Sequence, residues 1–220
     1  MPDGLTAWIR ELFADPEQAR MGHAQRVEDL NLGLGWIYYG LARVARPARV
    51  VVIGSYRGFA PLVFARALAD NAEGGRVTFI DPSLVDDFWR DPESVRAHFA
   101  AYGLDNVDHH CMTTQDYVGS AAYRELGDVG ILLVDGFHSE SQARFDHEAF
   151  AGRLACDGYA LFHDSVREFT SPIYGPGKHY VHDVYRYMDT LRRDPAYEVL
   201  MLPFDQGLCM VRSIGAISAS

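Results

Sequence analysis

In "ILLVDGFHSE", residues 131–140, four apolar residues break abruptly into Asp135, Gly136 and His138, and in "GYALFHDS" a second apolar run ends in His163, Asp164 and Ser165. A buried strand that ends this way sets a hard oxygen donor beside an imidazole able to exchange a proton near neutral pH. If the two strand ends share a sheet edge, Asp135 and Asp164 come together, and paired carboxylates suit a divalent cation that prefers oxygen ligands and keeps several waters, such as Mg²⁺. If His138 or His163 joins them, the preference moves toward Mn²⁺, Fe²⁺ or Zn²⁺. His163 is equally placed to buttress the Asp164 carboxylate or to touch a substrate.

Three more strand ends switch from apolar to polar. In "VVVIGSYRGFAPLVFARAL", Gly54 and Gly58 bracket a turn into a helix, where Gly54 permits close backbone approach and the helix amides favour polar or anionic groups. The spacing is neither GxGxxG nor a P-loop. "RVTFIDPS" ends in Asp81, 27 residues after Gly54, placed to accept both hydroxyls of a ribose or simply to cap the segment at Pro82. "MTTQDY" offers Thr114, Gln115 and Asp116 for reading a base edge, although Thr and Asp are also ordinary helix caps.

Short apolar runs alternating with amphipathic helices from Arg49 onward predict a doubly wound α/β fold, with a mostly parallel sheet covered on both faces. "HYVHDVYRYMDTLRR" reads as a helix, and "YEVLMLPF" with "GLCMVRS" as a terminal antiparallel hairpin turning at Asp205-Gln206-Gly207. Residues 1–47 read as N-terminal helices forming a lid or dimer surface, giving a homodimer or higher homo-oligomer, and 48–220 as the main domain. Trp36, Tyr38 and Tyr39 fit an aromatic wall or plain helix packing. Asp146 and Glu148 read as solvated or structural helix carboxylates. The loop after Ser165 emerges where substrate loops do, so Tyr174, Lys178, His179 and His182 are candidate substrate contacts or ordinary loop surface.

The chain has 220 residues, 48% of them hydrophobic, enough for one substantial core. A net charge of −10 argues against a nucleic-acid partner. Three scattered cysteines form no zinc spacing or disulfide framework, and no stretch is apolar and long enough for a signal peptide or membrane span. A cytoplasmic protein is expected.

The segments "VVVIGSYRG", "TFIDP", "LLVDGFHS" and "GYALFHDS" with the closing hairpin resemble class I S-adenosylmethionine-dependent methyltransferases over residues 48–213. The stretch "VDGFHSESQARFDHEAFAGRLACDGYALFHDS" is similar to small-molecule, catechol-type O-methyltransferases. The resemblance implies a Rossmann-like seven-stranded sheet with a reversed last strand, and S-adenosylmethionine as cofactor, held by Gly54, Ser55, Gly58, Asp81, Thr114, Gln115 and Asp135. It also implies a divalent metal, Mg²⁺ or Mn²⁺, on Asp135 and Asp164, with Ser165 standing where those enzymes carry an Asn. His138 falls where they carry a lysine that takes the hydroxyl proton, so the resemblance makes it the base, with Asp135 at its side. The acceptor would be a small hydroxylated molecule. A nicotinamide-dependent oxidoreductase lacks its GxGxxG and Tyr-x-x-x-Lys signals here, and a non-catalytic cofactor-binding subunit would have no use for Asp135, His138 and Asp164.

Overall fold

The computed structural model describes residues 3–172, 175 and 177–214. Tyr174, a candidate substrate contact, lies outside the described residues. In chain order the elements are α1 (Asp3–Ala14), a 3₁₀ turn (Gln18–Arg20), α2 (Gly35–Ala45), β1 (Arg49–Ile53), α3 (Phe59–Asn71), β2 (Arg76–Ile80), α4 (Pro92–Ala100), β3 (Val107–His110), α5 (Thr114–Val118), α6 (Ala121–Arg124) and β4 (Val129–Val134). There follow α7 (Glu140–Ala151), β5 (Leu154–His163), β6 (Phe169–Ser171), β7 (Tyr180–His182), α8 (Tyr185–Arg193), β8 (Tyr197–Leu202) and β9 (Leu208–Ser213).

β1 to β5 run parallel, and β9 lies antiparallel between β5 and β8, so the seven-stranded sheet has the order β3-β2-β1-β4-β5-β9-β8. Alternate strand residues face opposite sides. Val50, Val52, Val77, Phe79, Ile131, Leu133 and Leu161 pack with α1 to α4 in one apolar cluster. Val51, Ile53, Ile80, Leu132, Val134, Ala160 and Phe162 pack with α5, α7 and α8 in the other. Both faces are thus buried, which is why these strands read as unbroken apolar runs rather than alternating ones.

α1 buries Leu5, Trp8, Ile9 and Leu12, the spacing of one helical stripe, in the same cluster as the sheet. The predicted helix from His179 is shorter than expected. Tyr180, Val181 and His182 instead pair antiparallel with Phe169–Ser171 in a two-stranded ribbon, and the helix starts only at Tyr185. Aromatic and β-branched side chains there fit a pleated surface better than a first helical turn. Asp183, between the two, accepts from the Glu140 amide at 2.6 Å and fixes the ribbon to the start of α7.

Register positions the site. Ile53 pairs with Ile80 and Val134, and Val134 with Phe162, so four strand ends stop level with one another. Gly54, Asp81 and Asp135, which follow three of them, and His163, the last residue of β5, must meet at one edge, at the carboxyl ends where strand order reverses between β1 and β4.

Candidate functional site

A cavity of about 690 Å³ opens at that edge, within the range of small-molecule sites. Gly54, Ser55, Asp81, Thr114, Gln115 and Asp135 all line it. Gly54 has φ +72°, and a Cβ there would lie 2.3 Å from the Gly136 Cα, so glycine is needed first for the β1 and β4 loops to pass each other. Gly58 does not line the cavity. It caps α3 at φ +83°, and a Cβ would meet the Trp89 ring at 2.8 Å, so its smallness serves packing. The bulky Tyr56-Arg57 pair of this turn ties the rim together. Trp89 Nε1 donates to the Tyr56 carbonyl at 2.9 Å, Gln18 Nε2 to the Arg57 carbonyl at 2.7 Å, and the guanidinium pairs with Asp86 at 2.7 Å.

Asp81 combines both roles expected for it. Its Oδ1 accepts from the Ser83 amide at 2.7 Å and its Oδ2 from the Ser55 amide at 3.2 Å, which fix the carboxylate while leaving lone pairs toward the cavity. Burial raises its pKa, against those two hydrogen bonds.

At the β4 and β5 ends the cavity meets a cluster of imidazoles and carboxylates. His163 Nδ1 stands 2.9 Å from Asp135 Oδ1 and 3.4 Å from Asp164 Oδ1, His138 Nε2 is 3.9 Å from Asp135 Oδ1, and His182 Nδ1 is 3.7 Å from Asp164 Oδ2. The His138 and His182 rings stack at 4.9 Å, and the His23 ring meets His163 edge-on at 4.4 Å. His163 Nδ1, Asp164 Oδ1, His182 Nδ1 and His23 Nδ1 are buried without a well-aligned hydrogen-bond partner. Unsatisfied atoms on His163, Asp164 and His182 fit a bound cation, and a triplet such as Asp135, His138 and His163 offers ligand atoms within 4.8 Å of one another.

One imidazole offsets part of the carboxylate charge in the cluster. Burial opposes a proton on His163, but Asp135 and Asp164 outweigh it and raise its pKa to about 9. Burial holds His138 neutral, with a pKa lowered to about 3 despite Asp164. The ordinary imidazole value near 6.5 expected for a base therefore does not apply in this state. Among the cavity-lining residues His23, Tyr56 and Asp164 have positive φ, of 40°, 38° and 53°, a conformation that costs a non-glycine residue energy.

The remaining expectations divide. Ser165 is not brought to the cluster, because its buried Oγ donates to the Phe162 carbonyl at 2.6 Å and accepts from the Cys209 amide at 2.9 Å. Its hydroxyl stitches β5 to β9. Lys178 and His179 are exposed and do not line the cavity, whereas His182, from the same loop, sits buried at the cluster. Of the aromatic trio only Tyr38 lines the cavity; Tyr39 instead donates to Asp70 at 2.8 Å.

Two site residues escaped the sequence reading. Asp146 is fully buried on the cavity wall, with Gln142 Nε2 donating to its Oδ1 at 2.8 Å, and burial pushes its carboxyl up to about 6 against the hydrogen-bond donors Thr114 and Gln142. The signal was present in the helical spacing of Ala143, Asp146, His147 and Phe150, the buried face of α7. His23 comes from a loop of no repetitive pattern, and nothing in its neighbours marks it.

The family model described as a methyltransferase domain matches residues 51–165. No curated protein matches the chain in sequence. Among solved structures, the chain is similar to an O-methyltransferase from Bacillus cereus in complex with SAH, with TM-score 0.64, 15% identity and coverage of 94% of this chain and 91% of that one. It is also similar to the O-methyltransferase TomG from Streptomyces achromogenes, involved in tomaymycin synthesis and bound to SAM, with TM-score 0.62, 15% identity and coverage of 98% and 92%. The SAH-bound methyltransferase from Podospora anserina matches with TM-score 0.59, 18% identity and coverage of 97% and 88%.

Proposed function

The chain belongs to the methyltransferase-domain family, and on that premise we propose that it is an S-adenosylmethionine-dependent O-methyltransferase acting on a hydroxyl of a small acceptor, assisted by a divalent metal and by the His138 imidazole. The observation that carries this reading is the continuity of one cavity from the Gly54 turn and Asp81 to the cluster around Asp135 and His163. A site for a nucleoside and a site for proton and charge management are thus one space. Structures of similar fold hold SAM or SAH, which supports the same cofactor here.

S-adenosylmethionine supplies a methyl group already activated on sulfur, so what remains for the protein is alignment, exclusion of water and removal of a hydroxyl proton. Asp81, its plane set by two amides, accepts the ribose hydroxyls. Thr114, Gln115 and Asp146 line the wall where a base edge is read. Asp135 and Asp164, 2.9 and 3.4 Å from His163 Nδ1, would with His163 hold a divalent cation, whose Lewis acidity would lower the pKa of an acceptor hydroxyl. His138 has a free lone pair at neutral pH because burial keeps it unprotonated. A base with a pKa near 3 takes a proton poorly from an ordinary hydroxyl, so His138 works only on one already acidified.

Calorimetry with S-adenosylhomocysteine tests the reading. One-site micromolar binding is expected, weakened about tenfold to a hundredfold by Asp81→Ala, since a hydrogen bond to a charged acceptor contributes about 1.5–3 kcal/mol. No heat from folded wild-type protein would reject it.

A further inference from the structure

The cluster at the β4 and β5 ends is richer in nitrogen than a pair of strand-end carboxylates requires. Three overlapping triplets, His23 with His163 and Asp164, Asp135 with His138 and His163, and His138 with Asp164 and His182, each keep their ligand atoms within 4.8 Å of one another. Around an ion with bonds of about 2.1 Å, donors at the tetrahedral angle lie about 3.4 Å apart. The observed separations of 2.9, 3.4, 3.7 and 3.9 Å between imidazole and carboxylate atoms bracket that value.

The histidines do not come from one element. His138 lies in the loop after β4, His163 ends β5, His182 ends the β6–β7 ribbon, and His23 stands in the loop before α2. His163, Asp164 and His182 are each more than nine-tenths buried, and each has a ring or carboxylate atom there without a well-aligned hydrogen-bond partner. Ser171 holds His182 by Nε2 at 2.7 Å, which leaves Nδ1 to face Asp164. An outer partner on one ring nitrogen is what fixes a metal-binding imidazole for use of the other.

His23 is presented by a clasp rather than by a floppy loop. The Leu34 amide donates to both the Gly22 and His23 carbonyls, at 2.8 and 3.1 Å, and a Cβ at Gly33 would lie 1.8 Å from the His23 carbonyl oxygen. The next amide, Ala24, donates to Asp205 in the β8–β9 turn at 3.0 Å. His23 adopts φ +40° in this clasp, a conformation that is unfavourable for histidine unless its surroundings impose it. The same loop supplies Met21, Gly22 and His23 to the cavity wall.

We propose that the cluster is a site for a nitrogen-preferring divalent transition ion, with His23 and His182 as ligands beside Asp135, His163 and Asp164 while His138 is left as the base, and that the ion thereby ties the N-terminal wall of the cavity to the strand ends. The proposal rests on the metal-assisted reading of the same site and adds the class of ion and two ligands from outside the core strands. Imidazole donors favour Zn²⁺, Co²⁺ and Fe²⁺, whereas Mg²⁺ favours an all-oxygen shell and retained water. An ion held from both sides closes the wall that carries Tyr38 and Leu34 over the acceptor end of the cavity.

Chelator-stripped protein titrated with Co²⁺ alone tests this, because imidazole-bound Co²⁺ absorbs in the visible. One equivalent should bind with a visible band, be displaced by equimolar Zn²⁺, and resist a hundredfold excess of Mg²⁺. His23→Ala should weaken Co²⁺ binding at least tenfold, and so should His23→Asn, which tolerates the left-handed backbone if the alanine variant fails to fold. Displacement by Mg²⁺, absence of the band, or unchanged Co²⁺ affinity in the His23 variants would overturn the proposal. S-adenosylhomocysteine binding measured in the chelated samples keeps the two readings apart. If it persists without Co²⁺ binding, only the ion is rejected; if it fails while Co²⁺ binds, the methyltransferase reading falls and the ion site stands.

Discussion

Asp146 is an ionisable group that folding removes completely from water, and its consequence is a pH dependence of stability. Burial raises its pKa from 3.8 to about 6, so between those values the folded state holds a proton that the unfolded state has released. Stability from this group is therefore fully present below the unfolded value and is lost as pH rises through 6, by on the order of 3 kcal/mol in all and about 1.4 kcal/mol between pH 5 and pH 8. Asp146→Asn keeps the shape and removes the titration. In urea denaturation the variant should gain on the wild type by about 1.4 kcal/mol from pH 5 to pH 8; a constant difference would mean that Asp146 titrates normally. At this scale Asp135, Asp164 and His138 stood out in the sequence because each lies within four residues of the end of an apolar run, and a strand end is a position. His23 was not, because its place depends on the Gly22–Leu34 clasp, a tertiary contact with no local period. Ser165 misled for the converse reason: a hydroxyl beside Asp164 looks available until β9 arrives to use it.

At the scale of elements, the crossing of the β1 and β4 loops sets the cavity floor. Gly54 and Gly74 have nearly the same φ, +72° and +73°, but a Cβ at Gly54 meets the Gly136 backbone while one at Gly74 meets nothing within 4 Å. Gly74→Ala should thus cost only the left-handed penalty of about 1–2 kcal/mol. Gly54→Ala carries that penalty and must also push the β1 and β4 loops apart at the switch point, so it should lower the melting temperature further and abolish S-adenosylhomocysteine binding. Equal melting temperatures for the Gly54 and Gly74 variants would show that the loops separate freely. The parallel core and the closing hairpin were readable because strands buried on both faces and a Gly207 turn leave strong local signals. The β6–β7 ribbon was not, since Tyr180–His182 is three residues long and its pairing is decided by Phe169–Ser171, across a loop.

For the whole molecule the question is whether the N-terminal helices form an independent flap or belong to the core on which the site depends. Leu5, Trp8, Ile9 and Leu12 of α1 share one apolar cluster with Val52 of β1, Leu161 of β5 and Leu208 of β9. A cluster continuous from α1 to β9 transmits a loss of packing to strands far away in sequence, because helix and sheet open together. Leu12 is fully buried, and Leu12→Ala should cost about 2–5 kcal/mol through lost transfer and an unfilled cavity. Native-state hydrogen exchange locates where that cost falls. If the cluster is one cooperative unit, the slowest amides of β1, β5 and β9 lose the same free energy as those of α1. If only α1 and α2 amides exchange faster and the strands keep their protection, the N-terminal segment is a separately opening flap. The outcome also bears on His23, because a cooperative core holds its loop against the strand ends at all times, whereas a flap would deliver it to the cluster only on closing.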